Sequence, residues 1–146
     1  MTRPTCLPFL RELARCYQGF ERASRRNIRE LGLTPAQFDI IATLGNTSGM
    51  NCKELGERTL ITKGTLTGVL DRLFDKGLID RHIPPEDRRS LFISLTAAGQ
   101  TLFESVFPAH MAFLQYMFQD FDATLLEQLR NQLEPLRHRF EQESSQ

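Results

Sequence analysis

No apolar run in the 146 residues reaches the roughly 18 that a membrane-spanning helix needs, so no transmembrane segment is read. Residues Met1 to Gln18 scatter charge through their apolar part, where a secretory signal would be uncharged, and no signal peptide is expected. Cysteine is scarce. Cys6, Cys16 and Cys52 are odd in number and form neither a disulfide framework nor a metal-ligand spacing, which fits a reducing, cytoplasmic setting. The marks of catalysis are missing as well: there is no HExxH, no glycine-rich phosphate loop and no serine elbow, and His82, His110 and His138 are scattered. Cys52 and His82 fall in different elements with nothing to join them into a zinc site. Neither an enzyme, a metal nor a cofactor is expected.

Net charge is also absent, with 18 Lys and Arg against 18 Asp and Glu. Its distribution is uneven. Met1 to Leu33 holds seven Arg against three Glu, or +4; Arg58 to Ser90 holds seven bases against five acids, or +2; Ala97 to the end holds three Arg against seven acids, or −4. Zero net charge therefore leaves room for a local anion-binding face.

What is present is mostly helical periodicity. Leu7, Leu10, Leu13, Ala14, Tyr17 and Phe20 predict a helix over 7–30 with one apolar face. Thr34-Pro35-Ala36-Gln37 combines an N-cap, a proline at the first helical position and a capping-box glutamine; the helix it opens turns Phe38, Ile41 and Leu44 inward and stops near Gly45. Asn51 opens a short third helix, with Met50 and Leu55 spaced as a hydrophobic staple, ending before Leu60. Thr62 caps a fourth helix that runs to about Lys76, where Gly77 suits a left-handed terminus. The period then changes. Residues 78–83 and 90–95 read as two strands around a polar tip, Pro84 to Arg89. Thr96 caps a further helical section with a bend at Pro108, and Asp122 caps a last helix carrying Leu125, Leu126, Leu129, Leu133, Leu136 and Phe140. The predicted order is α-α-α-α-β-β-α-α, a mainly α fold with a small β-hairpin.

Two short helices joined by a tight turn and followed by a hairpin make a winged helix-turn-helix, whose second helix enters the DNA major groove. In the helix over 62–76, Leu66, Val69, Leu70 and Leu73 share one side and predict the core. The opposite side carries Gly64, Gly68, Asp71 and Asp75, flanked by Thr65 and Arg72 on one edge and Lys63 and Thr67 on the other. Each interior glycine costs about 1 kcal/mol relative to alanine, so this side suits a close approach by DNA, while a solvent-facing helix remains the plainer reading. At the hairpin tip Arg88 and Arg89 are placed to enter a narrow minor groove, with Asp87 expected to hold one of them through a bidentate pair. An ordinary charged turn is the alternative.

Leu55, Leu60, Thr65-Leu66-Thr67, Asp71-Arg72-Leu73, Lys76-Gly77-Leu78-Ile79, Arg81, Asp87-Arg88-Arg89 and Leu95 to Gly99 together resemble the signature of the MarR family. The resemblance implies a homodimeric transcriptional regulator on a palindromic operator in double-stranded DNA, a repressor relieved by a small molecule or oxidant. It divides the single domain 1–146 into a DNA-binding lobe, 34–99, and a helical dimerisation region, 1–33 and 100–146. DNA contact then falls to Thr62, Lys63, Gly64, Thr65, Thr67, Gly68, Arg72, Asp87, Arg88 and Arg89. A pocket for an aromatic acid or phenol is implied, with Arg15, Tyr17, Phe20, Phe38 and Met111 as its candidates. Cys16 is the redox candidate, since some relatives of this kind sense peroxide through a first-helix cysteine. The second helix here begins Thr34-Pro35-Ala36-Gln37-Phe38, without the tyrosines usual in those sensors, so a buried structural cysteine is expected. The many apolar positions of 103–140, more than a terminal hairpin can bury, support a dimer independently. A helical interaction module that does not bind DNA is the remaining alternative.

Overall fold

Helix α1 (Leu7–Glu30) ends where Gly32 takes a left-handed φ of 87°, and the chain turns at once into α2 (Pro35–Leu44). The computed structural model describes residues 1–146. It continues through β1 (Met50–Asn51), α3 (Cys52–Arg58), α4 (Lys63–Asp75), β2 (Ile79–His82), β3 (Phe92–Leu95), α5 (Ala97–Met117) and α6 (Ala123–Ser144). No helix is long and apolar enough to cross a membrane. The mainly α class with a hairpin is as read from sequence, and β1 is an addition. Two residues are too few to show a period, yet Met50 and Asn51 pair with Ile93 and Phe92, giving an antiparallel sheet of order β1-β3-β2. The two expected strands are shorter than their apolar patterns. Their register sets Ile79 against Leu95 and His82 against Phe92, and residues 83–91 form the loop between them.

Most helix ends follow the residues that announced them. Gln37 N–H donates to Thr34 Oγ1 at 3.2 Å while Gln37 Oε1 accepts from Thr34 N–H at 3.1 Å, completing the capping box. Glu54 N–H donates to the Asn51 side chain at 2.7 Å, and the staple residues Met50 and Leu55 are both buried. At the end of α4, Gly77 at φ 71° lets its own N–H reach Phe74 O and the Leu78 N–H reach Leu73 O. That is a Schellman closure, which satisfies carbonyls that the helix leaves free. Thr62 differs from expectation. It stands at the N-cap with extended backbone, but its hydroxyl donates to Thr65 Oγ1 and accepts no N–H. Pro108 lies inside α5, which continues to Met117.

The chain forms two compact units, Met1–Met111 and Ala112–Gln146. The first holds the core. Ile40, Ile41 and Leu44 of α2, Leu55 of α3, Leu66, Val69, Leu70 and Leu73 of α4, Ile79, Ile93 and Phe103 form one buried cluster; Ile28, Leu33, Phe38 and Val106 form a second. α1 buries only Ile28. Of the apolar face read from Leu7 to Phe20, Leu10, Tyr17 and Phe20 are exposed and Leu7 and Leu13 partly buried; Phe9 is exposed as well. In the second unit α6 buries no residue, and Leu125, Leu129, Leu133 and Phe140 are exposed along it.

A Cβ placed on Gly99 collides with the carbonyl oxygen of Leu78, which already accepts the Thr96 N–H at 3.1 Å. Backbone on both sides prevents relief. Gly99→Ala is expected to destabilise the fold by about 2 kcal/mol, lowering Tm by roughly 4–8 °C for a chain of this size. A thermal melt equal to wild type would show that this junction yields.

Candidate nucleic-acid interface

α4 has two unlike sides. Leu66, Val69, Leu70 and Leu73 are buried, whereas Lys63, Gly64, Thr65, Thr67, Gly68, Asp71, Arg72 and Asp75 are all exposed. The Cβ directions of Gly64 and Gly68 meet nothing within 4 Å. The outer side is therefore bare backbone between short hydroxyls, with Lys63 in the first turn, where helix amides also favour an anion. One acid on this side is engaged. Arg81 of β2 donates to the Asp71 carboxylate and lays its guanidinium over the Phe74 ring, 4.5 Å from the centroid. Arg72 does not take either acid of its own helix, a pairing that its spacing allowed.

The hairpin tip is built differently from its expectation. The Asp87 carboxylate accepts from the Arg89 backbone N–H at 3.0 Å and from the Ser90 hydroxyl at 2.9 Å, and no guanidinium pairs with it. These two bonds hold its carboxyl below the usual carboxylate range, the Arg89 N–H contributing most. Asp87 thus shapes the turn rather than an arginine rotamer. Arg88 and Arg89 remain exposed on the loop.

A groove of about 460 Å³ lies within the first unit. α1 contributes Tyr17, Phe20, Ser24, Arg25 and Ile28, α2 contributes Phe38 and Asp39, and α5 contributes His110. Its far wall is Leu60, Ile61, Thr62 and Thr65, the approach to α4 and its first turn. Tyr17, Phe20 and Phe38 therefore stand together as the sequence suggested. Arg15 and Met111 do not line the groove; the cation there is Arg25, ion-paired with Glu21. Cys16 is exposed rather than buried, and all three cysteines are free.

His110, 4% exposed, went unnoticed in the sequence as part of the groove. Its Nδ1 lies 2.8 Å from Asn27 Oδ1 and its Nε2 lies 3.2 Å from Ser24 Oγ. Asn27 Oδ1 only accepts, so Nδ1 donates, and in the neutral ring that burial favours Nε2 accepts from the Ser24 hydroxyl. The ring meets Phe38 edge-on at 4.9 Å. Burial pushes the imidazole below its usual value. A histidine at spacing i, i+4 from Val106 on an otherwise apolar helix face was the available signal.

Comparison with known proteins agrees with this geometry. The sequence profile of the MarR family matches residues 33–91. The chain is 32% identical over 107 residues to the homoprotocatechuate degradative operon repressor of Escherichia coli, covering 73% of this chain and 72% of that one. Among solved structures, AbsC, a MarR family transcriptional regulator from Streptomyces coelicolor, superposes with a TM-score of 0.85 at 23% identity over 97% of both chains. NadR in complex with 4-hydroxyphenylacetate superposes with a TM-score of 0.75 at 24% identity over 93% of this chain and 96% of that one. These last two likenesses are of fold.

The His110 environment sets a pH dependence. The unfolded chain takes up this proton near the ordinary histidine value of 6.5, before the folded chain does. Its contribution to stability is present above that value and is lost as pH falls from there through the lowered value of the folded chain. The urea midpoint should therefore drop between pH 7 and 5, and drop less in His110→Gln. Equal pH slopes in the two proteins would assign the effect to other groups.

Proposed function

Because the chain belongs to the MarR family of DNA-binding transcriptional regulators, we propose that it is a cytoplasmic repressor that binds a palindromic operator as a homodimer and releases it when a small aromatic acid or phenol enters the groove. The observation that carries the DNA assignment is the outer side of α4, where Gly64 and Gly68 leave open backbone between Thr65, Thr67, Lys63 and Arg72. In this reading α4 lies in the major groove. Lys63 contacts phosphate with the help of the helix amides, Thr65 and Thr67 touch base edges or thymine methyls, and Thr62 and Arg72 border the same contact. Arg88 and Arg89 reach the minor groove from a loop whose shape Asp87 holds.

The dimer follows from surface left open. Phe9, Leu10, Tyr17 and Phe20 on α1, and Leu125, Leu129, Leu133 and Phe140 on α6, are exposed in a single chain. Apolar stripes of that length on a soluble chain mark an interface, and an isologous pairing supplies the two-fold symmetry that a palindrome matches. This reading keeps 34–99 as the DNA-binding lobe and gives the dimer contact to residues in 1–33 and 100–146.

The groove offers aromatic walls in Tyr17, Phe20 and Phe38 and a polar end at Ser24 and His110, a lining suited to a flat ring bearing a hydroxyl or carboxylate. The relative named for homoprotocatechuate degradation and the structure of NadR with 4-hydroxyphenylacetate support that ligand class.

Two measurements test the assembly on DNA. Gly64→Ala and Gly68→Ala should each stabilise the fold by about 1 kcal/mol, because the added methyls meet open space, and each should weaken binding to duplex fragments that the wild type selects from a random library. A variant that gains stability and keeps full affinity would place this side of α4 away from DNA. Sedimentation of the full chain at micromolar concentration should give a dimer; a well-folded monomer would sink the two-fold model.

A further inference from the structure

The turn Thr59 to Thr62 sets where α4 begins, and its backbone is tied to α2 by a specific bond: the Leu60 N–H donates to Asp39 Oδ2 at 3.0 Å. Its first residue is held by α3, where the buried Thr59 hydroxyl donates to Leu55 O at 2.9 Å, and the side chains after it do less to locate the turn. Leu60 is 89% exposed and contributes no burial. Ile61 packs only in part against the core, and the Thr62 hydroxyl bonds within the first turn of α4. α2 is a firm base for the acceptor, since Phe38, Ile40 and Ile41 around Asp39 are all buried.

Asp39 itself is an unusual occupant of that place. Aspartate is a poor interior helix residue, and this one is half-buried, so desolvation raises its carboxyl while the Leu60 N–H works against that rise. A charged acceptor makes a directional bond and fixes a position, which apolar burial does not. Asp39 and Leu60 also line the groove next to Thr62 and Thr65, so the bond lies on the path from the groove to α4.

We infer that Asp39 is a positioning residue for base recognition: by holding the Leu60 N–H it fixes the start of α4, and so the register in which Thr65 and Thr67 meet base edges. The inference rests on the reading of α4 as the helix in the major groove. A long flexible cation such as Lys63 follows phosphate through a small displacement of α4; short threonine side chains do not. Loss of the bond therefore costs discrimination between sequences and leaves general affinity for DNA in place.

The experiment uses full-length wild type, Asp39→Ala and Asp39→Asn. Each is titrated with a duplex selected by the wild type and with a random duplex of equal length, over a range of salt, and each is melted. Asp39→Ala should lose about tenfold in the ratio of selected to random affinity, with random-duplex affinity within about twofold and the salt slope unchanged. Asp39→Asn, whose amide oxygen accepts from the same N–H, should restore the ratio to within about threefold. If Asp39→Ala discriminates as well as wild type, or Asp39→Asn as poorly as Asp39→Ala, the inference falls. It also falls if Asp39→Ala weakens both duplexes equally and melts early, since that marks a general loss of fold. A wild type that does not discriminate overturns the assignment of α4 to the major groove, and this inference with it.

Discussion

Burial of Leu66, Val69, Leu70 and Leu73 against α2, α3 and the sheet is the contact on which the other features depend. Those four residues occupy every inward position of α4. They set the helix axis and leave its other side without a packing duty, so glycine and threonine are tolerated there at a modest loss of helix propensity. The Schellman closure at Gly77 then carries the chain straight into β2. Leu78 joins the same cluster, and its carbonyl receives Thr96 at the start of α5. A helix anchored along its length and at its C-terminal end needs only its start located, and the Asp39–Leu60 bond lies in the turn just before it.

Electrostatics on the outer surface follows the same economy of partners. Asp71 is neutralised by Arg81, and Asp87 is absorbed by the backbone of its own loop. Lys63, Arg72, Arg88 and Arg89 project without an acid partner of that kind. Zero net charge over the chain thus coexists with a locally basic edge, since surface pairs act over about a Debye length and not over the whole molecule. The acids of α6 are partly taken up on their own helix by Arg137 and Arg139.

Much of the fold was legible because the residues that end helices act locally. Thr34 with Gln37, Asn51 with Met50 and Leu55, Gly77 and Asp122 each determine a terminus within four residues of themselves, and each did so. The inward side of α4 was equally plain, because a four-residue apolar stripe has one sensible destination. β1 was not legible, since two residues carry no period and its partner is distant in sequence. The α1 face was read as apolar and given to a dimer contact, since periodicity reports that a face seeks burial and not whether the same chain provides it. The partner of Asp87 was misjudged for a related reason: composition showed two neighbouring arginines, whereas the turn brought a backbone N–H and a serine hydroxyl closer. In the groove, aromatic residues on one helix face announced themselves, but the choice between Arg15 and Arg25 depended on which side of α1 meets α2.

Thr65 belongs to two surfaces at once: it lines the groove and stands on the exposed side of α4. Genetically, that makes it a pleiotropic position. A substitution selected to change what is recognised on one surface alters the shape of the other, so variation there is constrained by both tasks together. Thr67, Gly68 and Arg72, which do not line the groove, are free of that double constraint. A change at any of these three leaves the groove lining as it is, while a change at Thr65 reshapes both surfaces.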